Sequence, residues 1–331
     1  MPAYIHPSFS GKSSTGGTSN TASGISTTVA GGARGTALGD WSAVGGGWGN
    51  ETRDLLATVG GGGINIARGG YNTIGGGWDN ESNGLDTTIG GGYGNTATGE
   101  RTTIGGGYGN IATGQRSTIG GGYSNWTTGT YSTVPGGRSN AAAGAYSYAA
   151  GRRAKANHNG AFVWADSSDY DFPSTTTNQF NVRATGGARF VSAVDGSGNP
   201  TAGVLLSAGA GAWSSLSDRH FKENFRALDK QEILERLSAI PIESWNLKSQ
   251  APTIRHIGPT AQDFYGAFQI GESTRHINSS DADGVALAAI QALHETAKEK
   301  DEKMAAQARE IDELKVRLAA LEACMQSMRL E

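Results

Sequence analysis

The chain has almost no cysteine. Cys324 stands alone among 331 residues, so no intrachain disulfide can staple the fold, and the residue says nothing about compartment. Proline is also scarce, at eight residues, and glycine follows no strict Gly-X-Y period, which excludes collagen. No apolar run reaches the roughly 18 residues a membrane span needs, so no membrane insertion is expected. The formal net charge of −3 is too small to imply a nucleic-acid or membrane-surface partner. The six histidines are scattered and none pairs at metal-ligand spacing, so neither a metal site nor a cofactor is expected. The opening residues Met1–His6 carry no basic stretch and no apolar core, so they are not read as a secretory signal.

What the chain does have is glycine, and it is unevenly placed. Of 52 glycines, only Gly258, Gly266, Gly271 and Gly284 lie after Leu216. Charge is distributed the other way, with 34 Asp, Glu, Lys and Arg in residues 217–331 and 23 before them. Two kinds of polymer meet between Leu216 and Ser217. The expected divisions are an N-terminal segment (1–20), a repeat shaft (21–165), a β connector (166–216), a compact α+β domain (217–285) and a C-terminal coiled coil (286–331).

Residues 21–155 repeat every fifteen. The ninth position reads Val29, Val44, Val59, Ile74, Ile89, Ile104, Ile119, Val134, Ala149; the second is mostly Ala, and the last is Asn from Asn50 to Asn140. The period is too short for a helical repeat. It fits one solenoid coil of two short strands and two tight turns, with β-branched residues in the strands and Asn and Gly supplying turns of positive φ. The Ile/Val ladder is expected to point inward. Nine coils at about 4.8 Å each would give a shaft of roughly 43 Å. One such residue and one Ala per coil make a thin core, which suggests that a flat face of each coil is buried against another chain. This pattern resembles the left-handed parallel β-roll heads of trimeric autotransporter adhesins of the YadA type, over about 21–165. The resemblance implies a homotrimer. It ends at Asn159–Asp166, similar to that fold's closing coil, and the chain finishes in a charged helix instead of that family's membrane barrel.

Two exposed ladders accompany the apolar one. Trp48, Trp78, Tyr93, Tyr108 and Tyr123 share one repeat position and could contact a glycan or a neighbouring chain. Thr28, Thr58, Thr73, Thr88, Thr103, Thr118 and Thr133 share another, either an ice-binding face or ordinary strand residues. The Gly-rich turns lack the Asp that calcium-binding β-rolls require. Between 166 and 216, Asn178–Ala184 and Ala188–Val191 alternate with period two, and Asp195–Pro200 is a turn signal. Arg183 and Arg189 are read there as intersubunit ion-pair partners.

Past Leu216, Asp229-Lys230-Gln231-Glu232 has capping-box spacing before an apolar helix running through Leu237. Strands are expected at Trp245 and over His256–Phe264. From about Val285 the chain reads as helix. Ile290, Ala297, Met304, Ile311, Leu318 and Met325 recur every seven residues, with Leu293, Lys300, Gln307, Leu314, Leu321 and Met328 three further on. These are a and d positions of a coiled coil.

A serine needs a base before it can attack a carbonyl, and a buried lysine can be that base. Ser217 and Lys222 lie five apart, which suits a dyad closed by a turn; spacing alone equally describes a turn serine and a solvated lysine. However, Ser217-Asp218-x-x-x-Lys222-Glu223-Asn224-Phe225 resembles the opening signature of the intramolecular chaperone domain of phage tailspikes, tail fibres and endosialidases, a self-cleaving peptidase. Pro241–Lys248 and His256-Ile257-Gly258-Pro259-Thr260-Ala261-Gln262-Asp263-Phe264 follow in the family's order, although Pro259-Thr260 departs from its more usual apolar pair. The resemblance implies a cut between Leu216 and Ser217, with Ser217 as nucleophile, Lys222 as base and His256 assisting. The expected whole is mainly β: a trimeric solenoid shaft, a β connector, then an α+β chaperone with a trimeric coiled coil. Its expected place is a virion or phage-tail-like particle, as a fibre or spike that attaches to a host receptor or surface glycan. An extracellular trimeric adhesin, or a glycan- or ice-binding solenoid, is the alternative.

Overall fold

A computed structural model describes residue 11, residues 13–14 and residues 16–328. Most of the segment expected at 1–20 therefore lies outside the described residues. The chain separates into two compact units between Ser217 and Asp218.

The first unit is a parallel β-solenoid. Two-residue strands such as Thr88–Ile89 and Thr96–Ala97 stack into a twelve-stranded and an eleven-stranded sheet. Each residue pairs with the one fifteen further on: Thr88 with Thr103, Ile89 with Ile104, Ala97 with Ala112. The ninth-position residues Val29 through Ala149 are all fully buried, facing Ala37, Ala67, Ala97, Ala112 and Ala142. Each buried Ile or Val contributes roughly 1.5–3 kcal/mol. Three alanine positions are hydroxyl residues instead, and these are matched from inside the coil. Thr52 Oγ1 donates to Ser42 Oγ at 2.9 Å, Ser117 meets Thr127 at 2.8 Å, and Ser82 meets Thr87.

The asparagines do something different from what the sequence suggests. Asn50 through Asn140 do not adopt positive φ; they are buried, none more than 1% exposed. Asn95 Nδ2 donates to Gly91 O and Gly107 O, both at 3.0 Å, and to Asn80 Oδ1 at 3.0 Å. Asn95 Oδ1 in turn accepts from the backbone N–H of Asn110 at 3.0 Å. The glycine turns leave backbone groups that no strand can satisfy. An amide side chain carries both donors and acceptor, so stacked asparagines supply what those groups lack. Positive φ falls instead on the third glycine of the run and on the residue just before each asparagine, such as Gly94 at 64°. Gly92 has φ of 92°, and a Cβ there would lie 2.1 Å from Gly107 O.

The solenoid also runs further than the repeat. Both sheets continue through Phe172–Pro173 and Phe180–Arg183, past Asp166. The register first contracts to fourteen (Tyr148 with Phe162) and then expands to eighteen (Phe162 with Phe180), so the fifteen-residue pattern disappears while the ladder persists. Arg183 closes this end within its own chain. Its Nε donates to Asp166 Oδ1 at 2.9 Å, and its other nitrogens reach the Tyr170 and Ser168 carbonyls, so Arg183 is matched inside its own chain. The hydroxyl and backbone N–H of Thr185 hold the Asp166 carboxyl well below the usual carboxylate range. An antiparallel sheet follows, made of Gly187–Val194, Pro200–Ser207 and Ser214–Ser215.

In the second unit, α1 (Lys230–Ala239) is capped by Asp229, whose side chain accepts from the N–H groups of Gln231 and Glu232 at 3.0 Å. Strands Glu243–Trp245 and His256–Gly258 pair antiparallel. Past Gly258 the expected strand is replaced by α2 (Ala261–Phe268). Proline lacks the N–H a strand ladder needs, and Thr260 caps the new helix by accepting from the Asp263 N–H. The last helix, α3 (Ser279–Met328), starts earlier than Val285. Phe264, Phe268 and Val285 form the core with Ile233, Leu237 and Ile277. No helix among the described residues is long and apolar enough to cross a membrane.

Candidate functional site

Ser214–Ser215 lies antiparallel to Pro200–Ser207, with Ser215 across from Val204 and Ser214 across from Leu205. Leu216 extends this register by one residue, its N–H donating to Gly203 O at 3.0 Å. The Leu216 side chain is 44% exposed. Ser217 comes next and ends the first unit.

The second unit opens on a hydrogen-bonded turn. Asp218 caps a short 3-10 helix, Arg219–Phe221, by accepting from the His220 N–H at 2.8 Å. The same oxygen lies 2.8 Å from His220 Nδ1. Those two contacts, the backbone one foremost, hold the Asp218 carboxyl below its ordinary range. Asp218 thus orders the turn, as a carboxylate so placed should. His220 was not singled out by the sequence, which offered it only as a variable position within the motif. Lys222 stands at the C-terminal cap of this helix, where its N–H donates to Arg219 O at 3.1 Å. Asn224 has φ of 57°, a left-handed conformation that asparagine tolerates better than most residues, which accounts for its place in the motif. Arg219 lies over the Phe225 ring at 4.6 Å.

His256 sits on its strand directly across from Trp245, the two rings 4.9 Å apart. Its Nε2 is 2.9 Å from Gln250 Oε1. The amide fixes which way the imidazole faces, a requirement for any histidine that is to exchange a proton in one direction.

The aromatic ladder forms closed columns. Tyr93, Tyr108 and Tyr123 stack at 5.1 and 5.0 Å with planes within 8° of parallel. Trp48 and Trp78 stack at 6.1 Å across Gly63, where a Cβ would lie 2.3 Å from the Trp78 ring. Arg138 covers Tyr123 at 5.3 Å and Arg34 covers Trp48 at 5.8 Å. Ring faces within each column are occupied by neighbouring rings, so the column presents mainly edges and tyrosine hydroxyls.

No curated protein matches the chain. Residues 217–269 match a family model described as chaperone of endosialidase (Peptidase_S74); that match, preceded by a parallel β-solenoid, supports a protein of the tail-fibre type carrying a chaperone segment after its shaft.

Proposed function

We propose that three copies of this chain form a fibre, that residues 217–331 bring the copies together in register, and that each chain then cuts itself between Leu216 and Ser217. The observation that carries this reading is where the family match begins. Its first residue, Ser217, directly follows Leu216, whose N–H is bonded into the connector sheet. A second observation supports the trimer. On α3, Ile290, Leu293, Met304, Ile311, Leu314, Leu318, Leu321 and Met325 are each more than half exposed, and they are the a and d positions of the heptads. Such a seam in water calls for partner helices.

Near-identical coils make help with assembly necessary. Chains displaced by one fifteen-residue repeat would still bury the same ladder, and contacts between chains are slow to form. A C-terminal helical bundle removes that ambiguity first. In the cut, Ser217 Oγ attacks the Leu216 carbonyl carbon while Lys222 takes the hydroxyl proton. The C–N bond breaks, the proton passes to the freed Ser217 nitrogen, and an ester remains. Water then hydrolyses the ester to the Leu216 carboxylate and restores the Ser217 hydroxyl. Burial between assembled chains would ready Lys222 for the role of base. His256 assists the proton transfer. With the helper removed, the shaft cannot unfold by the reverse route, and its persistence becomes kinetic. The shaft then serves surface attachment on a virion or phage-tail-like particle.

The intact mass of purified protein tests this. Wild type should give two fragments divided before Ser217, and Ser217→Ala one full-length chain. Identical masses for both would refute the cut.

A further inference from the structure

The attacked carbon belongs to Leu216, and Leu216 belongs to the connector. We infer that the connector sheet, through Gly203, positions the scissile bond, so that Gly203 is a positioning residue for self-cleavage. This inference rests on the self-cleavage reading above.

Gly203 is the residue on which the middle strand holds both neighbours. On one side it pairs with Val191, beside a register shift between Val191 and Ala193. On the other, its carbonyl accepts the Leu216 N–H at 3.0 Å. Its φ is +150°, and a Cβ there would lie 2.2 Å from Phe190 O and 3.1 Å from Val191 Cα. Only glycine lets the Gly187–Val194 strand approach the middle strand this closely. Phe190, Val191, Val204 and Leu216 line one apolar groove of about 380 Å³, and the Trp213 ring packs tilted against that of Phe190 at 5.5 Å. The peptide N-terminal to the cut is therefore a sheet strand held by its backbone.

A nucleophile gains rate when the atom it attacks is fixed; a displacement of about 1 Å can slow a reaction by on the order of 10²-fold. A chain whose connector has not formed its sheet presents a loose carbonyl and keeps its chaperone. Cutting thereby reports that the segment joining shaft and chaperone has folded.

The test follows cutting of the full chain over time in cell-free translation. Leu216→Pro removes the N–H that Gly203 accepts; Leu216→Ala keeps it and removes the side chain. A third variant duplicates Leu216, so that the bond before Ser217 is still Leu–Ser but the leucine beside it is one residue beyond the sheet bond. The Pro variant and the duplication should each cut with a rate constant lowered on the order of 10²-fold, while the final cut fraction stays at the wild-type level. The Ala variant, which keeps the sheet bond, should cut at least about tenfold faster than the Pro variant. A variant that merely misfolds lowers the cut fraction and leaves the rate constant of the remainder unchanged. Should Leu216→Pro misfold in this way, the duplication decides, since it leaves the Leu216 to Gly203 hydrogen bond in place. Wild-type rates in both variants, a reduced cut fraction at an unchanged rate in both, or an Ala variant as slow as the Pro variant, would overturn the positioning role. An uncut wild type would instead sink the self-cleavage reading itself.

Discussion

Replacing Asn95 with alanine isolates what the buried asparagine ladder contributes. The substitution removes the donors to Gly91 O, Gly107 O and Asn80 Oδ1 and the acceptor for the Asn110 N–H. Gly107 O keeps a second donor, the Tyr93 N–H at 2.9 Å. The Asn110 N–H is left facing a buried, apolar gap. An orphaned buried group costs about 1–3 kcal/mol, and each of the three further lost bonds roughly 0.5–1.5 more, so Asn95→Ala should weaken its coils by at least about 3 kcal/mol. In amide hydrogen exchange read by mass spectrometry, peptides spanning Asn110 should lose protection on the order of 10²-fold, since each 1.4 kcal/mol is a factor of ten. Asn83→Ala is the control. Asn83 occupies an exposed position, its side chain bonds the Glu81 and Arg68 side chains, and its change should stay within about 0.5 kcal/mol. Asn95→Asp sharpens the test. A carboxyl placed there would face three carbonyl oxygens, those of Gly91, Gly107 and the Asn80 amide, so it would bind its proton more tightly folded than unfolded. Stability should then fall as pH rises above about 4, the unfolded value. Unchanged protection at Asn110 in Asn95→Ala, or an Asp variant indifferent to pH between 4 and 7, would refute the assignment of these turns to side-chain hydrogen bonding.

Three further outcomes are expected. Ile104→Ala should destabilise the central coils by about 2–5 kcal/mol, seen as an earlier denaturant midpoint; a shift worth under about 1 kcal/mol would mean that the coil interior collapses freely. Asp166 has its folded pKa depressed, so its contribution is fully present above the unfolded value of about 3.9 and is lost as pH falls below it. Acid should therefore loosen the Arg183 end of the solenoid, and Asp166→Asn should flatten that dependence in exchange measured at Thr185; equal pH profiles would count against the pair. Leu314→Asp puts a charge on the apolar seam of α3 and should lower the mass found by sedimentation from trimer to monomer when combined with Ser217→Ala; an unchanged mass would remove the seam from assembly.

Much of this was legible because strand residues obey short-range rules. The β-branched ninth position needed only its period to be placed inside, and Asp229 only its spacing to be read as a cap. The asparagines were misread because the same amide that suits an isolated turn also satisfies a stack of them, and only neighbouring coils decide which. Residues 166–183 hid their solenoid character when the period stretched to eighteen, since a pattern is recognised by constancy. Within the candidate site, Ser217, Lys222 and His256 were named from a motif, whereas His220 and Gly203 had no such signal. The first matters through a turn, and the second through strands that sequence distance keeps apart.

The pairing of each residue with its equivalent one coil away makes the shaft a ruler that can be read in whole numbers. Excising a plain coil, such as residues 96–110, would shorten it by about 4.8 Å and rejoin like to like, Asn95 meeting Asn125. The same excision through residues 51–65 would discard Thr52 and leave the buried Ser42 hydroxyl without the Thr52 donor it bonds. Variation in length should therefore be tolerated in some stretches and resisted in others, with the hydroxyl-bearing coils as fixed marks along an otherwise adjustable scale.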